Sequence, residues 1–178
     1  QILRAMQRAA DRQKALASFG ALLSDERLSV EVLDLFHMTK VEGRILVHGQ
    51  DEQSGRNYLI LEGTDARVYF VHYTPEMEQA RSRGGLRTNS FVHVRKLFAD
   101  KRPVLEIEEL GSAEALLSNR AYLRKTAREF IKRGIIPKED GWGGWLGRYQ
   151  AALHRTTLEE AARETCARGQ ARLRERDR

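Results

Sequence analysis

The alternation of apolar and polar residues predicts a run of short strands in the central part of the chain. Segments rich in Ile, Val, Leu, Tyr and Phe occupy Gly43–His48, Asn57–Glu62 and Arg67–Tyr73. The turn-forming sets Asp-Glu-Gln-Ser-Gly and Gly-Thr-Asp-Ala separate them. Two further strands are predicted at Ser90–Phe98 and Pro103–Glu109. Five short strands in this arrangement predict a small barrel of the SH3-like or OB-like kind.

Helical periodicity flanks the strands. Ile2–Phe19 places its apolar residues roughly on one side, and Ser24 is suited to cap a second helix over Asp25–His37. A short helical insertion, Glu76–Arg83, is expected after Pro75, between the third and fourth strands.

A different pattern follows the last strand. Ser112 is expected to cap a long helix over Ala113–Arg133, which Gly134 ends. Ile135–Ile136 and Trp145–Leu146 are expected to form short strands joined by a tight turn. Helix, strand, hairpin and strand in this order predict a winged-helix-like unit.

The end of the chain is rich in Ala, Leu, Glu and Arg, and it predicts an exposed, charged helix over Arg148–Arg178. The fold class is therefore α+β, with N-terminal helices, a small five-stranded barrel, a winged-helix-like helical unit and a C-terminal helix. The expected boundaries are residues 1–40, 41–110, 111–147 and 148–178.

Positive charge adds a candidate function. The net charge is +6, and cations cluster in Arg81–Arg102 and Arg120–Arg133, each containing one acid. A polyanion suits such clustering, because each neutralised phosphate releases condensed counterions. The alternative is a solvated surface that keeps the protein soluble. The candidate nucleic-acid-binding residues are Arg124, Lys125, Arg128 and Lys132, which form one stripe on the predicted helix, with Arg44, Arg87, Arg95 and Lys96.

Two interpretations apply to the outer face of the strands. The two-residue period sends six residues to that face, where rings and cations would suit single-stranded nucleic acid: Arg44, Leu46, His48, Phe91, His93 and Arg95. If the first helix covers the face instead, Leu46 and Phe91 are packing residues. We favour packing.

Catalytic and metal-binding patterns are missing from the sequence. Its five histidines are dispersed, without His-x-His or His-Glu-x-x-His, and no Gly-x-x-x-x-Gly-Lys is present. A ligand role shared by His72 and His93 is a minor alternative. The single cysteine, Cys166, cannot form an internal disulfide or by itself a thiolate zinc site. We expect no catalytic residue and no cofactor in this chain, and no membrane insertion, because no apolar run approaches about 18 residues.

Several blocks, taken in order, resemble one family. Ile2–Ala9, Gly43–Gly49, Tyr58–Val71, Leu123–Ile136 and Asp140–Trp142 are similar to the region downstream of the nuclease domain in conjugative relaxases, the mobilization nucleases of plasmids and integrative conjugative elements. The sequence departs from that pattern at two positions. Ala66 stands where the family has a turn glycine, and Pro137 interrupts the strand after Ile136.

The resemblance implies a parent enzyme that nicks one DNA strand at a transfer origin, using a tyrosine nucleophile and a metal held by three histidines. That machinery is expected outside this chain, and Tyr58, Tyr69 and Tyr73 are not assigned as the nucleophile. Because the chain begins with Gln1 rather than Met, we expect a fragment of a longer protein.

The resemblance also implies partners. This chain would be a non-catalytic accessory domain that binds transfer-origin DNA, single- or double-stranded, or is recognised by the type IV secretion coupling protein. Relaxosome accessory proteins are further expected partners. The expected location is the bacterial cytoplasm, with translocation of the parent to a recipient cell. The alternative is a protein-interaction module, for translocation or relaxosome assembly, with no DNA contact of its own.

Overall fold

The computed structural model describes Met6, residues 22–32 and residues 40–176, and its contacts divide the chain into two compact units, residues 1–114 and 115–178. The described strands are β1 (Ser29–Val32), β2 (Lys40–Gln50), β3 (Asn57–Gly63), β4 (Arg67–His72), β5 (Ser90–Ala99) and β6 (Arg102–Ser112). The described helices are α1 (Pro75–Ser82), α2 (Ala113–Leu116), α3 (Arg120–Lys132) and α4 (Gly144–Arg176).

The first unit contains a mixed sheet in the order β1-β4-β3-β2-β5-β6. The five predicted strands are confirmed as β2 to β6. Each pairs only with its neighbours in the sheet, and every pairing among these five is antiparallel. The insertion after Pro75 is also confirmed as α1, where the Thr74 side chain accepts a hydrogen bond from the Met77 amide. The class is α+β, as expected.

Strand β1 corrects one prediction. Ser29–Val32 was expected within a helix, but it pairs in parallel with β4, from Ser29 opposite Arg67 to Val32 opposite Phe70. The Asp25 carboxylate accepts hydrogen bonds from the Arg27 amide and guanidinium, which forms a turn rather than a first helical turn. Pairing with an available sheet edge therefore overrides the local capping signal. The remainder of that helix, and the helix over residues 2–19 apart from Met6, lie outside the described residues.

The described strands form an open sheet whose edges are β1 and β6. A barrel requires pairing between the edge strands. No pairing joins β1 to β6 in the part of the chain that the structure describes, so the SH3-like or OB-like closure is not confirmed.

Buried side chains lie on both faces of the sheet. One face packs Ile45, Leu61 and Val92 against Met77 of α1 and contributes to a larger cluster. On the opposite face of β5, Phe91 is fully buried, and Leu46 lies at a bulge in β2 and is 3% exposed. Leu46 and Phe91 are therefore packed and offer no stacking surface, while the first helix that was expected to cover them lies outside the described residues.

Close backbone approach fixes the pairing of β2 with β3. Gly43 lies opposite Gly63, and a Cβ atom at Gly43 would lie 2.2 Å from the carbonyl oxygen of Glu62. Only glycine fits there without moving backbone atoms. In the following turn Ala66 has a φ of 64°, the left-handed conformation that glycine adopts most easily.

In the second unit the predicted long helix is interrupted. It forms α2 and α3, separated at residues 117–119, because the Asn119 side chain accepts a hydrogen bond from the Tyr122 amide at 3.1 Å and caps α3. Gly134, with a φ of 68°, follows the end of α3 as expected.

The strands expected at Ile135–Ile136 and Trp145–Leu146 are not formed. Residues 135–143 have no regular structure, and Trp145 and Leu146 lie in the first turn of α4. Helical spacing brings Trp145 and Tyr149 into a stacked ring contact, with 5.4 Å between centroids. Helices α3 and α4 pack together, with Leu123 and Ala127 buried on α3. The winged-helix arrangement is therefore not confirmed.

Candidate nucleic-acid interface

The end of the β5–β6 hairpin carries an unusual mixture of exposed residues. Among the described pairings, β5 is bonded to β2 only as far as Arg95 opposite Lys40, and residues 96–99 pair with β6. We call residues 95–102 the hairpin tip. The tip belongs to the first unit, at the end of the sheet opposite the β2–β3 turn, where Gln50 pairs with Asn57.

A two-residue turn closes the tip. Asp100 and Lys101 have φ angles of 51° and 64°, between the paired residues Ala99 and Arg102. Positive φ at both central positions defines the type I′ turn, whose twist matches that of antiparallel strands. The turn therefore fixes which residues of the tip lie opposite one another on the two strands.

The tip combines aromatic and cationic groups. Phe98 is 69% exposed, Leu97 is also exposed, and Lys96 Nζ lies 5.2 Å from the centroid of the Phe98 ring. Arg95 pairs with Glu106 at 2.7 Å. Lys101 and Arg102 are exposed and make no ion pair with a described residue. The tip thus presents an open ring beside cations, the combination that contacts bases and phosphates.

The structure places Arg44 in a different role. Its Nη2 atom lies 3.2 Å from Oε1 of the fully buried Glu62, and the same nitrogen donates to the Leu22 carbonyl oxygen. The Ser24 amide donates to the Glu62 carboxylate at 2.7 Å. The Arg44 side chain is 16% exposed, so it satisfies a buried carboxylate and is poorly placed to contact DNA. Arg87 is exposed and donates to the Gly84 carbonyl oxygen.

The predicted stripe on α3 is divided by its partners. Arg124 Nε donates to Glu160 Oε1 at 2.6 Å, and Arg128 Nε lies 3.4 Å from the other carboxylate oxygen. Arg163 approaches the same carboxylate at 3.6 Å. Lys125 and Lys132 are exposed, and no ion pair holds them within the described residues. The stripe therefore has two structural arginines and two available lysines.

Glu160 is 5% exposed on α4. Burial alone would raise the pKa of this carboxyl, but the hydrogen bonds and charges of Arg124 and Arg128 outweigh burial and lower the pKa below its ordinary value. The carboxylate is therefore ionised at neutral pH and draws arginines from two helices together.

In the first unit, the His48 ring makes polar contacts with two residues distant in sequence. His48 Nε2 is 2.5 Å from the Leu86 carbonyl oxygen, and Nδ1 contacts the Tyr73 hydroxyl. Burial lowers the pKa of His48, so the neutral ring donates from Nε2 and accepts at Nδ1. Burial likewise raises the pKa of Tyr73. The sequence offered no signal for this contact, because the three residues belong to separate segments.

A ligand role shared by His72 and His93 is wrong. His72 lies on β4 and His93 on β5, and β3 and β2 separate these strands in the sheet. His93 Nδ1 instead lies 3.7 Å from Glu42. Across the described residues, no group of three or more His, Cys, Asp or Glu side chains is arranged to hold a metal ion.

Sequence reasoning named Arg95 and Lys96 as binding candidates and included Lys101 and Arg102 in the basic cluster, but it missed Phe98. The available signal was the apolar pair Leu97 and Phe98, which lies beside a turn rich in charge. Residues next to an exposed turn are expected to be polar, so an apolar pair at this position is unusual.

None of the described helices is both long and apolar enough to cross a membrane. Comparison of the chain with protein-family models, with curated proteins and with solved structures found no match in any of the three.

Proposed function

We propose that this chain is a DNA-binding accessory module without a catalytic step of its own. The observation that carries the proposal is the hairpin tip, where Phe98 is 69% exposed beside Lys96, with Lys101 and Arg102 exposed at the turn. Cations neutralise backbone phosphates, and an exposed ring stacks on an unpaired base. Lys125 and Lys132 on α3 supply a second group of accessible cations in the other unit.

The proposed biological context is a conjugative DNA relaxase. It is supported by the ordered sequence blocks that resemble the region downstream of the nuclease domain in that family. In this context the parent enzyme nicks transfer-origin DNA with its own tyrosine and metal, and this region holds the DNA near the nicked strand. A full-length parent that does not nick transfer-origin DNA with added divalent metal would contradict the context while leaving DNA binding by the tip unaffected.

A titration of DNA binding against salt tests the module itself. Fluorescence anisotropy of a labelled oligonucleotide should show affinity that falls steeply as the salt concentration rises. Lys101→Gln and Arg102→Gln should each reduce the slope of log affinity against log salt by about 0.7 to 0.9, the release expected for one phosphate contact. Arg56→Gln is the matched control, because it removes one exposed charge at the opposite end of the sheet. No binding at low salt, or equal effects of all three substitutions, would refute DNA binding by the tip.

A second candidate function is protein interaction. Helix α4 extends well beyond its buried face, and its residues 162–176 are all exposed, including Leu173 at 61%. A charged helix of this kind suits recognition by a coupling protein of a type IV secretion system or by a relaxosome protein. This candidate predicts that Leu173→Ala and Arg172→Glu weaken binding to such a partner and leave affinity for DNA unchanged.

A further inference from the structure

A cleft of about 250 Å³ lies in the second unit, beside the beginning of α3 and the middle of α4. Four arginines line it, two from each helix: Arg120, Arg124, Arg155 and Arg163. Glu159 and Glu160 are its acidic lining residues, which leaves an excess of two positive charges. This surface is separate from the hairpin tip, which belongs to the first unit.

The arginines of the cleft are not equivalent. Glu160 is already engaged, because Arg124, Arg128 and Arg163 all lie within 4 Å of its carboxylate. Arg120 and Arg155 are exposed, and neither side chain makes a hydrogen bond or an ion pair within the described residues. Arg120 and Arg155 are therefore the two guanidinium groups of the lining that remain available to a ligand.

The other lining groups favour an anion over a base or a sugar. The Ser118 hydroxyl donates to the Ala115 carbonyl oxygen and the Thr156 hydroxyl to that of Ala152, so both hydroxyl protons are already used. No aromatic residue is among the described lining residues, and Leu117 and Leu123 are the apolar ones. Recognition must therefore come mainly from guanidinium groups, which bind phosphate oxygens with two parallel hydrogen bonds.

We propose that this cleft binds a phosphate group, held chiefly by Arg120 and Arg155. Glu160 acts as a positioning residue, because it ties Arg124 and Arg163 to the wall of the cleft and keeps their charge close to the ligand. The excess of two charges matches a phosphate monoester, which carries about −1.5 to −2 at neutral pH. The phosphate can come from a small phosphate ester or from a nucleic-acid backbone, whose diester phosphates carry one charge each. Both sources present phosphate oxygens that accept hydrogen bonds from guanidinium groups.

Isothermal titration of the full chain with inorganic phosphate, at constant ionic strength set with sodium chloride, tests the proposal. We expect one binding site that Arg120→Ala combined with Arg155→Ala weakens at least tenfold. The matched control is Lys138→Ala combined with Arg168→Ala, which removes the same charge from exposed positions of the second unit outside the cleft lining and should change affinity less than twofold. Arg120 and Arg155 have no described partner to lose, so their removal should leave the unfolding midpoint unchanged.

Equal weakening by both pairs of substitutions would overturn the proposal, because it would show general charge attraction. Absence of any phosphate binding beyond that of chloride would overturn it as well.

A competition experiment identifies the source of the phosphate. If the ligand is nucleic-acid backbone, inorganic phosphate displaces a labelled oligonucleotide and the cleft variant loses affinity for it. If the ligand is a small ester, the cleft variant loses phosphate binding but keeps its affinity for the oligonucleotide. Either result supports phosphate recognition by the cleft.

The proposal does not depend on the hairpin tip. Substitutions at Lys101 and Arg102 should leave phosphate binding in the cleft intact. Failure of the cleft and failure of the tip are therefore separate results.

Discussion

Arg124 Nε donates to Glu160 Oε1 over 2.6 Å, so an arginine that a helical stripe would offer to DNA is held by a carboxylate from the next helix. Glu160 is 5% exposed, and the hydrogen bonds and charges of its arginine partners outweigh burial and hold the pKa of this carboxyl below its ordinary value. This pair joins α3 to α4 and neutralises part of the positive charge of the second unit.

Glu160→Gln should lower the free energy of unfolding of the second unit by about 1–2 kcal/mol. Stability is lost because hydrogen bonds to a charged group contribute more than hydrogen bonds between neutral groups. The loss stays modest because the arginine partners are partly solvated. Tryptophan fluorescence during urea unfolding measures this unit, since both tryptophans, Trp142 and Trp145, belong to it. Glu159→Gln, at an exposed neighbouring position, should change stability by less than about 0.5 kcal/mol. Equal effects of the two substitutions would contradict a structural role for Glu160.

Phe98→Ala should weaken binding of single-stranded DNA by about 1–3 kcal/mol, the range for loss of one stacked base. Duplex binding should fall less, because bases in a duplex are already stacked on one another. Anisotropy with single-stranded and duplex forms of one oligonucleotide measures the difference. Ile136→Ala removes a comparably exposed apolar side chain, 60% exposed, and should leave both affinities unchanged. The same loss on both forms of DNA would argue against stacking.

Protonation of His48 should destabilise the first unit. Burial lowers the pKa of His48 in the folded chain below the ordinary value of 6.5, so below that pH the unfolded chain binds more protons. The stability from the neutral ring is complete above about pH 6.5 and is lost as the pH falls toward the folded-state pKa. An NMR titration of the His48 ring should give a pKa below 6.5. Tyr73→Phe should raise that pKa, because it removes the donor to Nδ1 of the neutral ring. Titration of wild-type His48 at or above pH 6.5 would contradict the assignment.

Gly43→Ala should destabilise the sheet by about 1–3 kcal/mol, since the new Cβ would lie 2.2 Å from a backbone oxygen that β2–β3 pairing holds in place. Far-UV circular dichroism during thermal unfolding detects the loss. Gly169→Ala is the control, because a Cβ added at this exposed position of α4 would meet no atom within 4 Å. That substitution should be neutral or stabilise by up to about 1 kcal/mol through helix propensity. A neutral Gly43→Ala would mean that β2 and β3 separate more easily than their register indicates.

Much of the fold follows from local pattern. The strands β2 to β6 carry enough alternating apolar residues between turn-forming sets for their bounds to be predicted closely, and Pro75 and Gly134 mark helix ends by backbone chemistry alone. Positive charge near Arg95 and Lys96 was also visible in the sequence, as was the absence of a histidine motif for metal binding.

Other features depend on residues distant in sequence. Ser29–Val32 forms a strand because β4 offers an edge for pairing. Trp145 and Leu146 are helical because helical spacing places them with Tyr149 among the buried residues of α4. The sequence by itself determined strands β2 to β6, the helix boundaries at Pro75 and Gly134 and the distribution of charge, since each depends on residues a few positions apart. Only the tertiary structure decided which cations are accessible, because the acids that bind Arg44 and Arg124 lie 18 and 36 residues away, and folding alone brings them together.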